Sequence, residues 1–316
     1  MTQAQQILVA DLGGTHARLL LASSTGRFDT SAALELPSAD YGDMDSLVSE
    51  ALKHLKVTEP AKTQAMLAVA GPVQEGCAKL TNLSWSIDAA ALKQRFGFKQ
   101  VGVLNDLAAA AWAISDSPPQ DAKTVRDGKS EGRSLVISVS TGVGTAYWSK
   151  SAGHVQVDAA EGGHMAFAAE EEWSLSFLRA LQAQHGSRIS WERVLCGSGF
   201  AALDALLRGG KPLAAAEVTQ RAKAGEAAAL DTVRHYTRML GAFAGDLVLA
   251  APAPGGVWIM GGVVAGLGTA FDAKSFQEGF ADKGRLSSHL AQVPVHLTAD
   301  DWLGLRGAWV LARHQA

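Results

Sequence analysis

The feature that most constrains this chain is one pattern written twice. "ILVADLGGTHARLLLAS" (residues 7–23) is an apolar run, a glycine-rich turn and a second apolar run, with an acid, Asp11, before the turn; "SLVISVSTGVGTAYW" (134–148) repeats the run, turn and run without the acid. Apolar runs of this length, bounded by glycine, predict buried strands. Gly13 and Gly14 can take up positive φ and carry no side chain to keep an anion from the backbone N–H groups. Thr15 adds a hydroxyl, and Thr141-Gly142-Val143-Gly144-Thr145 offers the same resources in the second copy. Such turns either close tight hairpins or hold the phosphates of a nucleotide; their recurrence, each with Thr beside Gly, favours phosphates. Neither is a P-loop, since GxxxxGK[ST] is missing, and no GxGxxG opens a helix.

The rest of the chain predicts an α/β protein. A third strand is expected near Ala32–Leu36, then a helix in "MDSLVSEALKHLKV" with Leu47, Leu52 and Leu55 on its apolar face. "AMLAVAGPV" reads as a buried strand, "CAKLTNLSWSID" as the approach to a helix capped by Asp88, and "QVGVLNDLAAAAWAI" as a strand ending in Asn105-Asp106 before a helix. "SDSPPQDAKTVRDGKSEG" (115–132) reads as an irregular linker or lid. Long helices follow in "EEEWSLSFLRALQAQHG" and "EAAALDTVRHYTRMLGAFAGDLVLA". A strand then ends at Gly261-Gly262, and the chain closes with the strand "VPVHLT" and the helix "DDWLGLRGAWVLARHQ". Two strand–turn–strand loops far apart in such a series suggest two similar domains facing one another.

Composition narrows the functions this pattern can serve. With 316 residues, 47% apolar and 19% charged, the chain can bury a real core in one large or two medium domains. A formal charge of -3 gives no reason to expect nucleic acid or an anionic membrane as partner. The two cysteines, Cys77 and Cys196, form no CxxC unit, so neither a disulfide framework nor a zinc cluster is indicated, and a reducing cytoplasm fits. No secretory signal is visible and no run approaches the roughly eighteen apolar residues that span a bilayer, so a soluble protein is expected.

Several polar residues stand where chemistry could occur. Asp11 ends an apolar strand, where a carboxylate needs a partner: hydrated Mg²⁺ beside the phosphates, or a helix or turn that it caps. Asp106 can accept the proton of an attacking hydroxyl, with Asn105 fixing a neighbouring one; both residues equally suit an N-cap. "DAAEGGHMAFA" presents Glu161 and His164 around two glycines, an acceptor and a donor for sugar hydroxyls or a plain surface turn. Glu192, after Ser190, could equally be a first-turn helix carboxylate.

These motifs resemble the bacterial glucokinases of the non-ROK type, within the superfamily of sugar kinases, heat-shock chaperones and actin. "DLGGTHAR", "LAVAGPV…LTNLSW", "VGVLNDLAAAAWAI", "STGVGTAYW", "EGGHMAFA", "ISWERVLCGSG", "GGVWIMGGVV" and "DKGR…VPVHLTADDWLGLRGA" carry the resemblance in order over roughly residues 7 to 310. It implies two ribonuclease-H-like domains of the actin-like ATPase type, one over 1–110 with 300–316 and one over 111–299, with a cleft for glucose and MgATP. It also implies phosphorylation of glucose at the 6-hydroxyl. Asp106 is similar to the family's catalytic base. Asn105, Glu161, His164 and Glu192 look like its glucose-binding residues. Asp11, Gly13, Gly14 and Thr15 resemble the first phosphate loop, Thr141 and Gly142 the second, and Gly261-Gly262 the adenosine-side turn. ATP and Mg²⁺, the latter through water on Asp11, are the implied cofactors, and a cytoplasmic homodimer the implied state. Two alternatives remain at this stage: a kinase of mannose, fructose or glucosamine, and a non-catalytic sugar sensor of the same fold. Against the sensor, the first strand begins near residue 7, with no room for a preceding helix-turn-helix. Two departures stand out. Ser140 occupies a position where relatives usually have glycine, which predicts a less free backbone, and "AGPV" replaces a frequent Cys-Pro pair.

Overall fold

Strands form where the apolar runs are, in a computed structural model that describes residues 5–80 and 85–315. Residues 81–84 of the "LTNLSW" motif lie outside the described residues. β1 (Gln6–Leu12) and β2 (His16–Ser23) pair antiparallel with Leu12 opposite Ala17, and β3 (Leu34–Pro37) completes a meander. α1 (Met44–His54) starts at Asp43, whose carboxylate accepts the Ser46 N–H. It buries Met44, Leu47, Val48 and Ala51, while Leu52 and Leu55, expected on its inner face, are only partly covered. Then come β4 (Thr63–Val69), a small separate sheet of β5 (Val73–Gln74), β6 (Cys77–Lys79) and β7 (Ser86–Asp88), and α2 (Ala89–Phe96). Asp88 caps α2 as expected, accepting from the N–H groups of Ala90 and Ala91. β8 (Gln100–Asn105) passes directly into α3 (Asp106–Asp116).

The stretch expected to be irregular contains β9 (Lys123–Arg126). It pairs antiparallel at a sheet edge, where Lys and Arg side chains are tolerated and discourage further pairing; its charge therefore reads as loop. The chain continues through β10 (Ser134–Val139), β11 (Val143–Ser151) and β12 (His154–Ala160), then α4 (Glu172–His185), α5 (Trp191–Leu195), α6 (Gly197–Arg208) and α7 (Ala215–Lys223). The long α8 (Ala227–Ala250) precedes β13 (Gly256–Met260), α9 (Gly262–Leu267), α10 (Ala273–Ala281), α11 (Ser287–Leu290), β14 (Val295–Leu297) and α12 (Leu303–Gln315).

Two compact units result: Met1–Pro118 with Asp301–Ala316, and Pro119–Asp300. The smaller unit's sheet has the order β3-β2-β1-β4-β8, with β1, β4 and β8 parallel. Alternation along β1 divides its side chains between two layers. Leu8, Ala10 and Leu12 pack with Leu47 of α1, whereas Ile7 and Val9 pack with Leu305 and Trp309 of α12. The larger unit's sheet has the order β12-β11-β10-β13-β14-β9, with β10, β13 and β14 parallel. Through five strands the two orders correspond: a three-stranded meander, then two parallel strands. The repetition seen in the sequence is thus a repetition of topology.

Candidate active site

In the smaller unit the site grows out of β1. Asp11 continues the Ile7–Val9 row toward α12, and it has room there only because α12 presents a glycine: a Cβ on Gly304 would lie 2.5 Å from Asp11 Oδ2. Gly307, one turn on, lets α12 press against the Ala109 carbonyl of α3, where any Cβ would collide. Burial, reinforced by the charge of Asp106, pushes the Asp11 carboxyl up to about 7; Arg18 opposes the shift and Asp301 adds to it. Arg18 is itself placed by the Asp301 carbonyl (2.7 Å), by Glu35 (3.3 Å) and by the Trp302 ring beneath it.

The turn after Asp11 is closed by other groups. The Gly13 N–H donates to His16 O (3.0 Å), the buried Ser38 hydroxyl donates to Gly13 O (2.9 Å), and the Ser38 N–H donates to Thr15 O (2.9 Å). Two strands away in the parallel register, Val69 of β4 pairs with Asn105 at the end of β8, so Asp11 and Asn105 emerge at the same edge of the sheet. That edge, beyond the carboxyl ends of parallel strands, is where α/β proteins bind ligands. Asn105 is the N-cap of α3: its Oδ1 accepts from Leu107 N (3.0 Å) and Ala108 N (3.1 Å), while its Nδ2 donates to Gly71 O (3.1 Å). Asp106 is the first residue of the helix.

In the larger unit the equivalent turn joins β10 to β11, with the Ser140 N–H donating to Gly142 O (2.9 Å). The next amide, Val143 N–H, donates to the Glu192 carboxylate (Oε2, 3.0 Å). Gly142 is required by that contact, since a Cβ there would lie 2.7 Å from Oε2. Glu192 sits in the first turn of α5, between buried Trp191 and Val194. Trp191 meets Phe167 edge-on at 4.9 Å and Phe243 at 5.3 Å, and the Tyr236 hydroxyl donates to Leu195 O (2.7 Å), so the backbone carrying Glu192 is held by core packing.

The same packing brings in the Glu161–His164 segment. The Trp191 N–H donates to Met165 O (2.9 Å), and Ala166 pairs with Ser190 as an isolated bridge. Gly162–His164 form one 3₁₀ turn, tied down by the Gly162 N–H to Thr145 Oγ1 (3.0 Å), and Gly163 lies so near Val143 that a Cβ would strike its carbonyl. Glu161 and His164 themselves point outward, 66% and 58% exposed, with 3.8 Å between carboxylate and imidazole. Gly261 adopts φ 103°, where a side chain would be strained and would strike Val139, and the Gly262 N–H donates to Ser140 Oγ (3.1 Å).

One expectation needs correction. Gly13, Gly14 and Gly142 are not among the positive-φ residues; at Gly13 and Gly142 glycine serves for room, while Gly261 serves for conformation. Ser140 sits without positive φ, and its hydroxyl accepts the Gly262 N–H. Sequence reasoning missed Ser38, Arg18 and Gly304. The one available signal was the glycine spacing in "WLGLRGAW", which marks a helix face that must approach another backbone.

A duplicated meander with two parallel strands, glycine turns at the strand ends and acids beside them defines a sugar kinase of the actin-like ATPase fold. The family model described as glucokinase matches residues 8–315. Among similar proteins, the glucokinase of Caulobacter vibrioides (strain NA1000 / CB15N) is 35% identical, over 96% of this chain and 94% of its own length. That of Chromohalobacter salexigens is 33% identical over 95% of each. The crystal structure of a glucokinase from an Antarctic psychrotroph superposes with a TM-score of 0.83 at 32% identity, covering 99% of this chain and 100% of that one. A Balamuthia mandrillaris glucokinase, solved in complex with glucose, shares the fold (TM-score 0.81, 20% identity, 98% and 94% coverage). The chain belongs to the glucokinase family. Among the described residues, no helix is long and apolar enough to cross a membrane.

Proposed function

We infer that this enzyme transfers the γ-phosphoryl group of ATP to the 6-hydroxyl of D-glucose, giving glucose 6-phosphate and ADP. The observation that carries this reading is the pairing of Asp106, at the start of α3, with Asp11, close enough for the charge of one to raise the pKa of the other at the ligand-binding edge of a parallel sheet. Phosphoryl transfer asks a protein chiefly for positioning and charge stabilisation. Asp106 accepts the proton of the 6-hydroxyl as its oxygen attacks phosphorus and the bond to the ADP oxygen breaks. Asn105, with its oxygen committed to capping α3, offers an amide N–H to the sugar. Glu161 and Glu192 accept sugar hydroxyls, and His164 supplies a further polar contact. On the nucleotide side, the Gly13-Gly14-Thr15 and Thr141-Gly142 turns bring backbone N–H groups and hydroxyls to the phosphates, and Gly261-Gly262 admits the adenosine side.

Mg²⁺ suits the residues present. Among the described residues no group of three or more His, Cys, Asp or Glu could cage a metal, whereas the negative charge of the Asp11 carboxylate is disfavoured by burial and by the charges of Asp106 and Asp301, and a cation would relieve it. Magnesium keeps most of its waters and takes few protein carboxylates, so Asp11 would hold it through water. When bound, it offsets the charge of the phosphates. The family resemblance further supports a homodimer in the cytoplasm, which light scattering on the purified protein checks for its dimer part. The function itself is tested by coupling ADP release to NADH oxidation with glucose, mannose, fructose and glucosamine as acceptors, and identifying the phosphorylated carbon by ³¹P NMR. Glucose should be the preferred acceptor; absence of ADP with every sugar refutes the reading.

A further inference from the structure

Glu192, assigned above to the sugar, is held in this structure by the turn assigned to phosphate, so its position ties the two sides of the larger unit together. Its Oε2 takes the Val143 N–H at 3.0 Å, in the turn assigned above to phosphate. We propose that Glu192 is a positioning residue that withholds the Val143 N–H from phosphate until a sugar hydroxyl claims its carboxylate, so that glucose binding raises nucleotide affinity. This rests on the function proposed above. A phosphate oxygen accepting the same N–H would have to share it with a like charge, and like charges at hydrogen-bond separation repel strongly when partly removed from water. The carboxylate therefore opposes nucleotide as long as it stays on the turn.

Only the side chain has to move. α5 is fixed by Trp191 in the core and by the Tyr236–Leu195 hydrogen bond, and the seat of the carboxylate exists because Gly142 has no Cβ. Glu192 is itself half-buried, so a sugar hydroxyl donating to it can draw Oε2 away from Val143 without disturbing the helix. Glu161 is the natural contrast. It is assigned to the same sugar, but it is exposed and its near neighbour is His164 at 3.8 Å, not the turn.

Calorimetric titration of the full-length protein with Mg-AMPPNP, with and without glucose, tests the proposal. In the wild type glucose should tighten AMPPNP binding at least about fivefold. Glu192→Gln should bind AMPPNP without sugar at least about threefold tighter than the wild type, with glucose adding less than about twofold. Glu161→Gln should weaken glucose yet leave sugar-free AMPPNP binding at the wild-type value. In the wild type, glucose alone should shift the Val143 amide resonance, a readout that needs no variant. Equal or weaker AMPPNP binding by Glu192→Gln, or a Val143 amide unmoved by glucose, overturns the proposal while leaving the glucokinase reading intact. Unchanged glucose affinity in both variants strikes the sugar assignment itself, and the proposal with it.

Discussion

Replacing Asp11 with Asn is expected to stabilise the ligand-free protein at pH 8 while removing most of its turnover. In the unfolded chain an aspartate titrates near 3.8, and in the folded protein Asp11 titrates near 7. Between those values the folded state holds a proton that the unfolded chain has released. The stabilisation this gives is complete below about pH 4 and is lost as the pH rises through 7. Three units at 1.36 kcal/mol each amount to about 4 kcal/mol. Asn cannot ionise, so the variant should exceed the wild type by up to about 4 kcal/mol at pH 8, by about 2 kcal/mol at pH 5.5, and by almost nothing near pH 4. Urea unfolding followed by tryptophan fluorescence reads the difference, since Trp85, Trp112, Trp302 and Trp309 all lie in the smaller unit. A gap that does not change with pH, or a variant less stable than the wild type at pH 8, would refute the account of Asp11 as a carboxylate held in an unfavourable place for function.

Further outcomes follow from the same geometry. Asp106→Asn should leave glucose binding within a few-fold but lower kcat at least about a hundredfold through loss of the general base; a variant that keeps most of its turnover removes Asp106 from that role. Gly307→Ala drives a methyl group into the Ala109 carbonyl, a backbone atom that cannot step aside, and should cost roughly 3 kcal/mol or more, read as a lowered Tm by circular dichroism. A thiol reagent should titrate one cysteine quickly in the native protein, the exposed Cys77, and both after denaturation, because Cys196 is buried and neither is in a disulfide.

Much of this protein was legible in its residues. The strand ends, the Asp88 cap and the two glycine turns are local matters, set by apolar run length, by a side chain that can accept backbone N–H groups, and by the absence of Cβ atoms; each can be read a few residues at a time. The repetition of "DLGGT" and "STGVG" announced two similar domains for the same reason. Asn105 illustrates the limit of such reading: cap and ligand residue were both open, and the structure assigns its oxygen to the cap and one amide N–H to the Gly71 carbonyl, which leaves the second N–H for a ligand.

The tertiary structure decided what depends on atoms distant in sequence. Asp11 is raised toward neutrality by burial under α12 and by Asp106 and Asp301, about a hundred and about three hundred residues away along the chain, and no local pattern encodes that sum. Val143 meets Glu192 because Trp191, Phe167 and Phe243 lock α5 beside the turn. β9, charged and short, becomes a strand only because β14 has a free edge to offer it. Propensity acts within a turn or two of chain, whereas electrostatics and packing act through space. The sequence alone therefore determined the elements and their chemistry, and the fold determined which of them meet.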